Sequence, residues 1–183
     1  MIIENGRPKT DAGRLKKEIR SYDLLQSLGI EFTRADHEAA MTMEACEEID
    51  AAMGVKMCKN LFLTNRQQTA FYLLLIPGDK QFKTKDVSSQ IGSARLSFGS
   101  AELMEELLDI TPGSLSILGL MNDLDRDVTL LIDRELCDAE YFGCHPCINT
   151  STVKFKTSDL FEKLIYALKH TPTFVDLPRS DEQ

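Results

Sequence analysis

Two apolar runs constrain the fold of this chain most strongly. Asn60–Thr64 and Ala70–Ile76 are separated by the polar stretch Asn65-Arg66-Gln67-Gln68. Each run is too short for a core helix and is rich in Leu, Phe and Tyr, so together they read as a hairpin of largely buried strands. Pro77-Gly78-Asp79 then marks a turn out of the second strand.

The remaining elements are arranged around this hairpin. Apolar positions Leu15, Ile19, Tyr22, Leu25 and Leu28 fall on one face of a helix over 14–28, which Gly29 is placed to end in a left-handed turn. Ile30–Arg34 reads as a short strand, and Thr42 is placed to cap a helix over 43–53, followed by Gly54. A short helix is expected over 85–91 before Gly92, a strand over Arg95–Phe98, and a helix over 101–108 capped by Ser100. Thr111-Pro112-Gly113 forms a sharp turn into Ser114–Leu118. Val128–Ile132, Ala139–Phe142 and Thr152–Phe155 read as strands, and Ser158 is placed to cap a last helix. Residues 1–13 are expected to form a flexible arm and 171–183 a frayed tail. Strands and helices do not alternate strictly, which argues against a doubly wound parallel sheet. The expected fold is of the α+β type within the broad α/β group: a mixed, partly barrel-like β-sheet surrounded by helices.

The length of 183 residues fits a single domain, 1–183, with a core that needs no staples. No apolar run approaches the roughly 20 residues of a membrane span, and Met-Ile-Ile-Glu-Asn-Gly lacks the basic-then-apolar order of a signal peptide. A cytoplasmic location with reduced thiols is expected, and an odd count of 5 cysteines argues against a disulfide framework. A net charge of −8 disfavours a protein that coats long nucleic acids, but leaves room for contact with a nucleic-acid end through a few residues.

The chemistry-bearing residues concentrate in Tyr141–Thr152, which contains Cys144-His145-Pro146-Cys147 and then Asn149-Thr150-Ser151-Thr152. A zinc site needs four ligands, and the remaining cysteines (Cys46, Cys58 and Cys137) and histidines (His37 and His170) are single. A redox dithiol belongs at a helix N-terminus, whereas this motif leads into a β-rich stretch. Neither a metal nor another cofactor is therefore expected, and the thiols read as small apolar packers. Pro146 restricts His145 to extended backbone, from which His145 and Asn149 can present a ring nitrogen and an amide to a ligand. Lys59-Asn60 opens the first core strand, where the lysine is either a surface residue or a cation aimed into a cleft. No Ser-His-Asp set is visible.

These stretches resemble the prolyl-tRNA editing superfamily, the YbaK-like, prolyl-tRNA-synthetase-associated domain, and within it the freestanding Ala-tRNA(Pro) deacylases. The matching segments are Lys59–Leu63, Arg95–Ser100, Thr111–Ser116, Gly119–Asp123, His145-Pro146 and Asn149–Thr152, with the helix at Asp159-Leu160. The resemblance implies hydrolysis of the ester that joins a wrong amino acid to the 3′-terminal adenosine of tRNA. It implies Lys59, Gly113 and His145 as catalytic residues, and Asn60, Ser114, Asn149 and Thr150 as substrate-binding ones. Lys80, Lys83, Lys85, Arg95 and Lys154 are the candidate contacts to the acceptor stem. Ile117 stands where the family usually has proline. The expected substrate is Ala-tRNA(Pro). The alternatives are another mischarged tRNA such as Cys-tRNA(Pro), or a non-hydrolytic module that binds tRNA or a synthetase. Prolyl-tRNA synthetase is the candidate protein partner.

Overall fold

A computed structural model describes residues 1–40 and 43–179. The fold is mixed α+β, built on two sheets. β1 (Ile2–Asn5), β2 (Phe32–Asp36), β7 (Tyr141–Cys144) and β8 (Ser151–Lys156) form an antiparallel sheet in the order β1-β2-β8-β7. The expected hairpin is β3 (Cys58–Asn65) and β4 (Phe71–Pro77), which pair antiparallel. With β5 (Leu96–Phe98), β6 (Val128–Asp133) and β9 (Thr173–Val175) they form a second sheet, ordered β5-β3-β4-β6-β9, whose β4–β6 and β6–β9 pairs are parallel.

The main core lies between these layers. Tyr22 and Leu25 of α1 (Lys16–Ser27) pack with Phe32, Phe62, Leu73, Leu75, Leu130, Ile132, Phe142 and Phe155. A smaller core covers the outer face of the second sheet, where Val87 of α3 (Thr84–Ile91) meets Leu63, Leu74, Ile76 and Leu96. A third, around Ala35, Ile49, Met53 and Val55, seats α2 (Met43–Met53). The two sheets approach where 55–57 passes over β7: a Cβ added at Gly143 would lie 2.8 Å from Met57 Sδ. A side chain at Gly143 would have to displace the Met57 side chain at that crossing.

Several helix ends follow their expected chemistry. Gly29 and Gly92 are left-handed after α1 and α3, and Ser100 Oγ accepts from Leu103 N–H at the start of α4 (Ala101–Leu108). Thr42, the expected cap of α2, lies outside the described residues. Ser158 does not cap the last helix, which starts one residue earlier. It runs through α5 (Thr157–Asp159), a π-helical turn (Leu160–Leu164) and α6 (Ile165–Leu168).

Both expected loose ends are partly structured. The arm contains β1, whose Glu4 pairs with Arg34. The tail contains β9, whose backbone pairs in parallel with β6; Val175 of this strand and Leu177 just beyond it are buried against the outer core.

The Gly119–Asp123 stretch is structural. It belongs to a 3-10 helix, Ile117–Asn122, in which a Cβ at Gly119 would lie 2.4 Å from Ile110 Cδ1. Asn122 Nδ2 donates to Leu108 O at 2.8 Å, closing the C-terminus of α4. The buried Asp123 carboxylate accepts from the backbone N–H of Asp127 and Val128 and pairs with the buried His170 Nε2 at 2.8 Å. Asp123→Ala strips three partners from one buried site. It is expected to cost about 3 kcal/mol or more, read as a lower urea midpoint at unchanged m-value.

Candidate active site

The candidate residues lie on three separated stretches of the chain, the second and third of which touch each other. The first is the mouth of β3. A strand sends successive side chains to opposite faces, so Lys59 and Asn60 diverge. Asn60 shares its face with Cys58 and Phe62 of the main core; its Nδ2 donates to Cys58 O at 3.2 Å, while its buried Oδ1 has no partner among the described residues. Lys59 lies on the face of the outer core, opposite Ile76 in the ladder, and its exposed Nζ donates to Lys80 O at 2.8 Å.

The second stretch is the Thr111–Ser116 turn. Gly113 has φ +89°, a conformation that favours glycine. Ser114 N–H donates to Thr111 O, and the Ser114 side chain is buried. Gly113 N–H donates to no acceptor among the described residues. Ser116 Oγ accepts from Leu118 N–H and caps the 3-10 helix, and Ile117 is fully buried in the main core. A hydroxyl cap and an apolar anchor thus fix the loop without the family proline.

The third stretch is the loop between β7 and β8. A Cβ at Gly113 would lie 3.7 Å from Asn149 Nδ2, so the second and third stretches are in contact. His145 Nδ1 lies 2.8 Å from Ser151 O. A carbonyl only accepts, so Nδ1 carries the proton and the neutral ring keeps a bare Nε2. Burial first, and then the nearby His37 ring, hold the His145 pKa below its usual 6.5. Thr150 is exposed, and its carbonyl accepts from His37 N–H.

The thiols of Cys58, Cys144 and Cys147 are buried, and burial raises all three, Cys58 to about 12 and Cys147 to about 11. They pack as apolar groups beside Ser116 and Ser21. No group of three or more His, Cys, Asp or Glu among the described residues is arranged to hold a metal ion.

The expected tRNA contacts divide. Lys83, Lys85 and Arg95 are exposed. Lys80 is not: its Nζ is buried 2.9 Å from both carboxylate oxygens of Asp133 and 3.0 Å from Glu135. An ammonium held by two carboxylates is withdrawn from any phosphate, so Lys80 serves the fold and, through its carbonyl, Lys59. Lys154 donates to Met53 O at 2.6 Å and lies 4.7 Å from the centre of the Tyr141 ring, tying α2 to β8.

Sequence reasoning missed His37. Its ring centre is 6.4 Å from that of His145, and its Nε2 is 3.0 Å from Thr152 Oγ1. The β2–β8 pairing brings Asp36 opposite Ser151 and so delivers His37 to the loop. No local signal in the sequence announces that register.

Residues 37–163 match the sequence model of the aminoacyl-tRNA editing domain. The chain belongs to the aminoacyl-tRNA editing family. It is an aminoacyl-tRNA deacylase of YbaK-like fold. A relative from Acetoanaerobium sticklandii, the prolyl-tRNA editing protein ProX, is 31% identical over 153 residues, covering 84% of this chain and 93% of its own. A protein from Danio rerio named prolyl-tRNA synthetase associated domain-containing protein 1 is 28% identical over 163 residues, covering 88% and 86%. Among solved structures, a trans-editing enzyme for prolyl-tRNA synthetase superposes with a TM-score of 0.66 at 13% identity, over 90% of this chain and 99% of that one. The hypothetical protein APE2540 superposes with a TM-score of 0.63 at 17% identity, over 86% and 98%. No helix among the described residues is long and apolar enough to cross a membrane.

The lowered pKa of His145 has a consequence for stability. Below about 6.5, the unfolded chain takes up a proton that the folded chain resists. Relative to His145→Asn, the wild-type protein is expected to be steady above pH 6.5 and to lose stability as pH falls below it, until the folded ring also titrates. Chemical denaturation of both proteins across pH 5–7.5 checks this.

Proposed function

We propose that this editing enzyme acts in trans on Ala-tRNA(Pro), releasing alanine and intact tRNA. The observation that carries the reading is the unpartnered, buried Oδ1 of Asn60, whose neighbour Cys58 interacts with Cys144 at the start of the His145 loop. A buried acceptor without a donor is costly unless a ligand supplies one, and the α-ammonium of an aminoacyl group is such a donor. The walls nearby are small side chains, Cys58, Cys144 and Ser116. Missing methylenes give a synthetic site only about 1–3 kcal/mol of discrimination, so a small second pocket that admits alanine and rejects proline supplies what the first cannot.

In this reading water attacks the ester carbonyl, the bond from that carbon to the ribose oxygen breaks, and alanine leaves while the ribose oxygen takes a proton. Gly113 N–H is available to the oxyanion. The bare Nε2 of His145 accepts a hydrogen bond from the water or from the ribose hydroxyl. Lys59, on the outer face at the mouth of β3, suits the terminal phosphate or the charge developing beside it. The side chains of Asn149 and Thr150 border the pocket, and the buried Ser114 holds the turn. The names of the Acetoanaerobium and Danio relatives support prolyl-tRNA as the substrate class and prolyl-tRNA synthetase as a partner.

Incubation of purified Ala-tRNA(Pro) with the wild-type protein is expected to release alanine faster than from Cys-tRNA(Pro), Ser-tRNA or Pro-tRNA. Lys59→Ala should lower kcat/KM about a hundredfold, the scale of losing one charge-stabilising donor. Gly113→Ala, which strains the left-handed turn, should lower kcat and also lower the melting temperature by a few degrees. Absence of turnover on every aminoacyl-tRNA, with tRNA still bound, would leave a binding module in place of an enzyme.

A further inference from the structure

The outer face of the second sheet carries an aromatic pair that the cores leave partly uncovered. Phe98 is 62% exposed on β5, an edge strand three residues long. Its ring centre is 5.6 Å from that of Phe82, with the planes tilted by 58°. Phe82 in turn packs on the outer core, which fixes the pair to the sheet.

Three features connect this pair with the site. Phe98 lies opposite Leu63 in the β3–β5 ladder, so it shares a face with Leu63 and, along β3, with Lys59. Phe82 follows Lys80 by two residues, and the Lys80 carbonyl holds Lys59 Nζ. Leu63 lies four steps along β3 from Lys59, a span of about 13 Å, or roughly four nucleotides at the stacked spacing of about 3.4 Å. The surroundings are basic in a chain whose net charge is −8: Lys83 and Lys85 flank the start of α3 and Arg95 precedes β5, all exposed, with Asp86 as the acidic residue of that first turn. An open ring beside cations is the arrangement that binds single-stranded nucleic acid without reading its sequence. One exposed ring on a short edge strand is too small for a stable protein interface.

We propose that Phe98, backed by Phe82, is a stacking platform for a base in the unpaired 3′ end of the tRNA, a few nucleotides before the aminoacylated adenosine. The 3′ strand crosses the outer face from Phe98 to Lys59, and the aminoacyl group turns over the mouth of β3 toward Asn60. This rests on the deacylase reading above and extends it to the path of the nucleic acid.

The chain contains no tryptophan, so Phe98→Trp introduces a single indole at the platform. Titration with deacylated tRNA is expected to quench it, whereas the same tRNA trimmed of its whole unpaired 3′ end is expected to quench it weakly or not at all. Phe98→Ala and Phe98→Leu should both raise the Kd for intact tRNA about five- to a hundredfold, the range for losing one stacking ring. In deacylation both should raise KM more than they lower kcat, with melting temperatures close to wild type. Equal quenching by intact and trimmed tRNA, or a wild-type Kd and KM in Phe98→Ala, overturns the platform. If the wild-type protein deacylates no aminoacyl-tRNA while the quenching and the Kd change persist, the platform stands and the deacylase reading falls. Normal deacylation by Phe98→Ala with unchanged KM removes the platform alone.

Discussion

The period-two alternation of β3 is the constraint on which the rest of the site depends. It sends Cys58, Asn60 and Phe62 into the main core and turns Lys59, Leu61 and Leu63 to the outer one. At the start of the strand the same alternation parts two adjacent polar residues, Lys59 and Asn60, into two different environments. There Asn60 keeps a buried acceptor without a donor, while Lys59 stays in solvent on a backbone carbonyl. A slip of one residue in the β3–β4 register would exchange the two faces. The long apolar ladder from Cys58↔Pro77 to Thr64↔Phe71 makes that exchange costly.

Behind the His145 loop the protein buries charge instead of hydrocarbon. Tyr22 Oη bridges Glu18 and Ser151, Arg14 pairs with Glu18 and Asp36, and Arg34 reaches Asp36 and Glu4. Burial would raise Asp36, but the two guanidiniums outweigh it and hold the carboxyl below its ordinary range. This network fastens α1 and β1 to the end of β2 and β8 from which His37 and the His145 loop project. The position of the histidine pair is thus set by directional bonds, which tolerate less drift than apolar contacts.

Much of the architecture was legible because its signals are local. The apolar hairpin, Gly29 and Gly92 at helix ends, and Ser100 at a helix start each carry their instruction within a few residues. What was not legible depends on distant partners. β9 has three residues and pairs in parallel with β6, so no turn or alternation marks it. Lys80 looks like Lys83 and Lys85 in sequence, and it is distinguished by Asp133, 53 positions away, together with Glu135. His37 stands beside His145 through a β2–β8 register that its neighbours do not encode. Lys59-Asn60 was read as a unit, and the strand that the sequence itself indicated separates them. The cysteines, conspicuous by spacing, are packing groups whose thiols burial keeps protonated.

The turn that holds Lys59 is secured from the far end of the chain. Asp133 receives Leu177 N–H as well as Lys80, and Arg179 bridges Asp79 and Glu135. Loosening 177–179 would therefore reach Lys59 indirectly, through Asp133 and then the Lys80 carbonyl, so a residue at the mouth of β3 depends for its setting on a segment remote from it in sequence.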